Sequence, residues 1–288
     1  MNRQLKIAIQ GVEGCFHDDA AHGYFRQHYP SLEVSTVPCH SFHALFEALD
    51  RDASMMGIVA IENTIAGPLL QNHELLRKSS LSIIGEHKIR ISHVLAALPG
   101  QTTADITEVH SHPMALMQCE QYLRSQPGMK MVEDFDTAGS ARDIAQGNIA
   151  ARAAVCGKYA AELYGLSILR EGIETNKRNF TRFLILADPL IAPEYMPRTD
   201  TLDKASVVFT LPHTKGALSK ILTILSFYDI NLSKIQSTPI IGREWEYRFY
   251  LDLTFDSYAR YQNAINAIRP LLSNFRTLGE YKECKNEI

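Results

Sequence analysis

The sequence predicts an α/β protein built in two parts, and three observations carry the prediction. From Leu5 to Ala187, short apolar runs alternate with segments of helical period. A stretch holding three prolines, Asp188–Asp200, follows. Beyond it the elements take the order strand, helix, strand, strand, helix, strand.

In the first part, Lys6–Gln10 reads as a strand and Cys15–Gln27 as a helix. Glu33–Val37 is a strand, Phe42–Leu49 a helix, Gly57–Ile61 a buried strand and Leu69–Arg77 a helix. Leu81–Ile84 and Lys88–Leu98 are two further apolar strands, and Ile106–His110 is another. Helices at Pro113–Leu123 and Ala138–Ala145 precede a strand at Phe180–Leu186. Such alternation points to a largely parallel sheet. Pro189, Pro193 and Pro197 block regular structure, so the chain is expected to divide into 1–190, a linker at 191–203, and 204–288. In the last part, Ala205–Leu211 is a strand and Gly216–Phe227 a helix with Leu218, Ile221, Leu222 and Leu225 on one face. Strands at Asn231–Ser237 and Trp245–Thr254, a helix at Tyr258–Leu271 and a strand at Arg276–Tyr281 complete a ferredoxin-like βαββαβ order. That fold hosts many functions and decides none.

Composition narrows the function. Hydrophobic residues make up 45% of the 288 and charged residues 21%, which is ordinary globular usage. The 29 Lys+Arg stand against 32 Asp+Glu with no basic block, so no nucleic-acid partner is expected. Apolar runs stop short of the roughly 18–20 residues of a spanning helix, and Gly11 and Glu13 come too early for a signal peptide. Five cysteines at 15, 39, 119, 156 and 284 form no C-x-x-C pair, a pattern of a reducing compartment; a cytoplasmic protein is expected. No metal-ligand set, Walker loop or G-x-S-x-G elbow occurs, so neither metal nor cofactor is expected.

Several polar clusters sit where strands end. Gly11-Val-Glu-Gly14 follows the first strand; it suits anion binding at a helix N-terminus, or is an ordinary βα loop. Glu62, Asn63 and Thr64 leave the buried strand at 57–61, either toward a ligand or as helix caps. His112 precedes Pro113 at a helix start, and one histidine among eleven is weak evidence by itself. Asp136-Thr-Ala-Gly-Ser-Ala141 opens a helix with small residues that admit a carboxylate or cap the helix. Asn176–Phe183 groups Lys177, Arg178 and Arg182 around Asn179 and Thr181; this is a dicarboxylate site or a solvated basic loop.

Together these segments resemble the monofunctional prephenate dehydratases that carry a C-terminal ACT domain. The resemblance runs from Gly11 to about Tyr281. It rests on Gly11–Phe16, Ile61-Glu-Asn-Thr64 with Gly67, His112-Pro-Met-Ala-Leu116 with Gln118, Asp136-Thr-Ala138, and Thr181-Arg-Phe183 preceded by Asn179. Gly216-Ala-Leu218 and Gln236-Ser-Thr-Pro239 resemble the two ACT motifs. Cys15, His17, Thr64, Met114, Gln236 and Thr238 depart from the usual residues.

The resemblance implies a catalytic domain like a type II periplasmic-binding protein, with two α/β lobes and a cleft between them, followed by the ACT domain. It implies conversion of prephenate to phenylpyruvate, carbon dioxide and water in phenylalanine biosynthesis. Thr181, Arg182 and Phe183 would be catalytic, and Asn63, Thr64, Thr137, Ala138, Asn179 and His112 would hold substrate. Gly216, Ala217, Leu218, Asn231, Leu232 and Ser237 would form an allosteric site for phenylalanine in a homodimer or homotetramer. Arogenate dehydration and a non-catalytic amino-acid sensor are the alternatives.

Overall fold

The computed structural model describes residues 4–243 and 245–285. In chain order the elements are β1 (Gln4–Gln10), α1 (Phe16–His28), β2 (Glu33–Cys39), α2 (Phe42–Arg51), β3 (Met56–Asn63), β4 (Gly67–Pro68), α3 (Leu70–Lys78) and β5 (Ser82–Arg90). Next come β6 (His93–Ala97), β7 (Glu108–Ser111), α4 (Pro113–Gln118), α5 (Glu120–Arg124), β8 (Lys130–Glu133), α6 (Thr137–Gly147), β9 (Arg152–Gly157), α7 (Lys158–Leu163) and β10 (Ser167–Glu171). The chain closes with β11 (Phe180–Ala187), α8 (Ala192–Tyr195), β12 (Lys204–Thr210), α9 (Ala217–Phe227), β13 (Asn231–Pro239), β14 (Tyr247–Thr254), α10 (Tyr258–Ile268) and β15 (Ser273–Tyr281). They form two compact units, one of residues up to Ala48 with Gly57–Pro68 and Lys88–Phe183, the other of Leu49–Met56, Leu69–His87 and residues from Leu184.

The first unit is α/β and holds two sheets. One has the strand order β2, β1, β3 and the opening residues of β11, with β1 and β2 parallel from Gln4↔Glu33 to Gln10↔Cys39. The other runs β10, β6, β9, β7, β8. Its β9, β7 and β8 are parallel, but β6 is antiparallel to both β9 and β10. The expected parallel bias therefore holds in part, and the second sheet is mixed. Leu95, Val109, Leu116, Cys119, Val155 and Ile173 belong to its core.

Three expected boundaries move. Leu81–Ile84 and Lys88–Leu98 become β5 and β6, because Glu86 does not end a strand: it is fully buried with Lys204 at 3.0 Å, both in the second unit. A charge in mid-strand is tolerated when it is paired. Pro113–Leu123 is broken at Cys119 into α4 and α5. The three-proline stretch contains α8, with Pro193 in its first turn, where a missing N–H is no loss. Strands β8, β9 and β10 and helix α7 were not expected from the sequence.

The second unit holds the βαββαβ order as β12, α9, β13, β14, α10 and β15. β12 lies between β14 and β15, antiparallel to both, and β13 flanks β14. Val207 and Phe209 pack on Ile221 and Leu225 of α9 and on Tyr261 and Ile265 of α10. Each such side chain contributes roughly 1.5–3 kcal/mol on burial. β15 meets β5 in parallel at Gly279↔Ile83, and a Cβ at 279 would stand 2.2 Å from the Ile83 carbonyl oxygen. Only glycine allows that approach.

Candidate active site

The end of β3 and the start of β11 bring three of the expected residues into one hydrogen-bonded cluster of the first unit. Asn63 Nδ2 donates to Asn179 Oδ1 at 2.7 Å and to Thr181 Oγ1 at 2.9 Å. Its Oδ1 accepts from the N–H groups of Ile65 and Ala66, both at 2.8 Å, so the amide cannot flip without losing two bonds. Because Thr181 Oγ1 accepts from Asn63, its own O–H points to a further acceptor, and none occurs among the described residues. Thr181 is buried but at the surface of the strand end, at 8% exposure.

Asn179 is fully buried; its Nδ2 donates to Gln118 Oε1 at 3.0 Å and its carbonyl accepts from Ile91 N. The same Gln118 oxygen takes a hydrogen bond from His93 Nε2 at 3.0 Å, and burial keeps the His93 imidazole below its usual pKa. With its carbonyl doubly occupied, Gln118 keeps its amide N–H groups free to donate, and the residue lines the adjoining cavity. That cavity, of about 620 Å³, is lined by Gln118, Met117, Ile65, Glu174, Thr175 and Asn176 among others. Glu174 is buried, takes Arg90 at 3.1 Å and accepts from His93 N at 3.0 Å; burial works against its charge, and these bonds with Lys177 hold its pKa below the usual range.

Other expected residues serve the framework. Thr64 Oγ1 accepts from Phe180 N at 2.9 Å and donates to the Arg178 carbonyl at 3.0 Å, clipping the two strand ends together. Arg182 is buried and donates to Glu62 at 3.1 Å. Phe183 is 1% exposed and meets the His17 ring edge-on at 5.0 Å, so it fills core. His17 is buried, its Nε2 accepts from Ala60 N, and desolvation lowers its pKa to about 3.

His112, Thr137 and Ala138 make no hydrogen bond to this cluster. His112 caps α4, its Nδ1 accepting from Met114 N at 3.2 Å, which puts the ring proton on Nε2. Asp136 caps α6 and takes the N–H groups of Ala138 and Gly139 at 2.8 and 2.9 Å. Gly11, with φ +113°, lets the first turn approach Asp136: a Cβ there would stand 3.2 Å from its Oδ2. In the second unit, Gly216 is left-handed (φ 75°) before α9, with Ala217 and Leu218 half-buried. Asn231, Leu232 and Ser237 lie on the outer strand β13, and Asn231 donates to Thr254 at 3.2 Å. Sequence reasoning missed His93 as a member of the first cluster. It also gave Glu62 no ion-pair role; a carboxylate beside a strand carrying an arginine was the only available signal.

Residues 7–189 match the prephenate dehydratase family. The chain belongs to that family. Among curated proteins it is 39% identical to arogenate dehydratase 5, chloroplastic, of Arabidopsis thaliana, covering 96% of this chain and 67% of that one. The structure of prephenate dehydratase in complex with L-Phe from Arthrobacter aurescens superposes with a TM-score of 0.82 at 28% identity, over 97% of this chain and 90% of that one. A structure described as GqqA, a novel type of quorum quenching acylase, gives 0.83 at 30% identity over 97% and 98%. The fold is thus that of the prephenate dehydratases, α/β with a βαββαβ tail, and the protein is a lyase of this family. No helix among the described residues is long and apolar enough to cross a membrane.

Proposed function

We propose that the protein dehydrates and decarboxylates prephenate, with Thr181 as the group that assists departure of the ring hydroxide. The supporting observation is the Asn63 amide bonded to Thr181 Oγ1, which turns the threonine proton outward. In the reaction the bond to the ring carboxylate breaks, its electron pair enters the ring, and the carbon–oxygen bond opposite releases hydroxide. A hydrogen bond from Thr181 to that oxygen strengthens as charge develops on it, which is what lowers a barrier. Aromaticity of the product supplies the driving force, so positioning suffices in place of a strong acid. The Gln118 amide and the exposed Arg178 are the proposed donors for the carboxylates, while the Arg182 guanidinium is held by Glu62.

Arogenate differs only in an amino group on the side chain, and the 39% identity to an arogenate dehydratase supports it as a second substrate. Amide hydrolysis, as in the acylase, would need an activated nucleophile. Thr181 is bonded to an amide donor and to no base, and burial pushes the Cys15, Cys119 and Cys156 thiols up to about 12.

We assign catalysis to residues 1–190 and regulation to 204–288, with 191–203 joining them. Phenylalanine is the proposed effector, bound by Gly216, Ala217, Leu218, Asn231, Leu232 and Ser237 in a homodimer or homotetramer. The L-Phe complex of the similar enzyme supports this. A cytoplasmic location agrees with five cysteines of which four are buried as thiols.

Ultraviolet detection of phenylpyruvate tests the main reading. Thr181→Ala should lower kcat at least about tenfold, or about 1.4 kcal/mol, with little change in KM. Wild-type protein that binds prephenate without forming phenylpyruvate would instead be a sensor. Rates on prephenate and arogenate, measured side by side, fix the preference.

A further inference from the structure

The second unit contains a pocket of about 320 Å³ into which four arginines converge: Arg77, Arg243, Arg248 and Arg276, with Thr210 and Asn274 among the residues between them. The sheet register places them there. Thr210 and Thr238 both pair with Arg248, and Val208 pairs with Arg276, so these side chains share one face. Their counter-charges are few. Glu74 takes Arg248 at 2.6 Å and Arg77 at 3.0 Å, and Glu246 takes Arg243 at 3.0 Å. Arg276 has no carboxylate among the described residues; it donates to the carbonyls of Arg77, Ser79 and Leu81. Among the described residues, four guanidinium groups thus share two carboxylates.

Two further observations point to a ligand. Thr238, next to the lining rather than part of it, is 7% exposed, pairs with Arg248 in the sheet, and its hydroxyl has no hydrogen-bond partner among the described residues. Burial first, and then the nearby Arg77, push the Arg276 guanidinium below its ordinary pKa. Planar forks at several angles around one hollow suit an oxyanion, which accepts several charge-assisted bonds at once.

We propose that this pocket binds a small dianion of the phosphate or dicarboxylate class. The site lies wholly in the second unit, is built from residues other than those assigned to phenylalanine, and does not depend on the dehydratase reading. Calorimetry on the full chain at low ionic strength, with inorganic phosphate and separately with succinate as probes, tests it. One or both probes should bind, more weakly as salt is added, and which one binds separates the two chemistries. Among the described residues Arg243 pairs only with the exposed Glu246, so Arg243→Gln should leave the thermal transition in place and weaken binding at least about tenfold. Thr238→Val, which removes the buried hydroxyl and keeps its volume, should weaken it too. Absence of binding by both probes at millimolar concentration would overturn the proposal. So would equal affinity in wild type, Arg243→Gln and Thr238→Val.

Discussion

The Asn63 cluster of the first unit and the arginine pocket of the second are both polar insertions into apolar surroundings, yet they are built on opposite rules. Around Asn63 the partners are neutral amides and a hydroxyl, and the bonds run in one order: His93 and Asn179 onto Gln118, Asn63 onto Asn179 and Thr181. With these acceptors filled, the Thr181 hydroxyl proton and the Gln118 amide N–H groups are the donors left over. Around Glu74 the groups are ionic, and among the described residues cations outnumber the carboxylates that hold them. A neutral network fixes direction, because each amide has a donor side and an acceptor side. An unbalanced ionic cluster fixes charge, and leaves direction to whatever arrives. The first suits a transition state, in which charge appears at one atom; the second suits a ligand already charged.

Reversing one bond breaks the contrast most severely. In Asn63→Asp the retained oxygen still accepts from Ile65 and Ala66, but the second oxygen accepts where the amide donated. Thr181 then turns its proton toward residue 63, and a negative charge stands beside the departing hydroxide. kcat should fall about 100-fold, or about 2.7 kcal/mol, beyond the loss in Thr181→Ala. Steady-state rates with circular dichroism as a fold control would check it; unchanged kcat would mean the direction of that bond is irrelevant.

The sequence made part of this legible. Strand and helix periods located β1, β3, α9 and α10 to within a few residues, since their apolar faces are continuous. They failed for β8, where Lys130, Met131 and Glu133 are exposed, and for β9, whose Ala153 and Ala154 carry little strand signal. Asn63, Asn179 and Thr181 were named together through family motifs. Their bonding order was not, because it joins residues 116 and 118 positions apart. His93 illustrates the remainder: its link to Gln118 exists only once β6 and α4 are packed. The resemblance makes Arg182 catalytic, and no local pattern announces that Glu62 answers it.

Acid should separate the two regions next. His17 ordinarily titrates near 6.5 but is held to about 3 by burial, so the unfolded chain binds the extra proton first. Stability from the first unit is therefore complete above about pH 6.5 and falls as pH drops toward 3, by about 2 kcal/mol at pH 5. Glu74 is different in kind. Burial raises its pKa, but Arg77, Tyr250 and Arg248 outweigh that and bring it to about 2, so its contribution is lost only between about 4.5 and 2. Hydrogen exchange at descending pH should show α1 opening before α3, and His17→Gln should remove most of the earlier loss. Simultaneous opening would show that neither group governs its region.

Arg182→Lys probes the border between the framework and the proposed site. The ammonium still reaches Glu62 but lacks a second donor arm, so KM for prephenate should rise about fivefold, near 1 kcal/mol, with kcat nearly unchanged. An unaltered KM would assign the guanidinium to Glu62 alone.

The smallest effect is expected at Cys15, one of the departures from the family pattern. A thiol in the first turn looks like a nucleophile or a substituted substrate contact. Its Sγ instead donates to the Gln10 carbonyl at 3.4 Å, is 95% buried against Gly11, and is pushed up to about 12 by burial and by Asp136. A thiol of that kind is inert near neutral pH. Serine reproduces the one hydrogen bond with a slightly smaller atom, so Cys15→Ser should change kcat/KM less than about threefold, or roughly 0.6 kcal/mol. Iodoacetamide should leave Cys15 unlabelled in native protein by mass spectrometry. Alkylation of Cys15 with parallel loss of activity would extend the reacting cluster as far as the first turn, and the neutral network around Asn63 would no longer be its boundary.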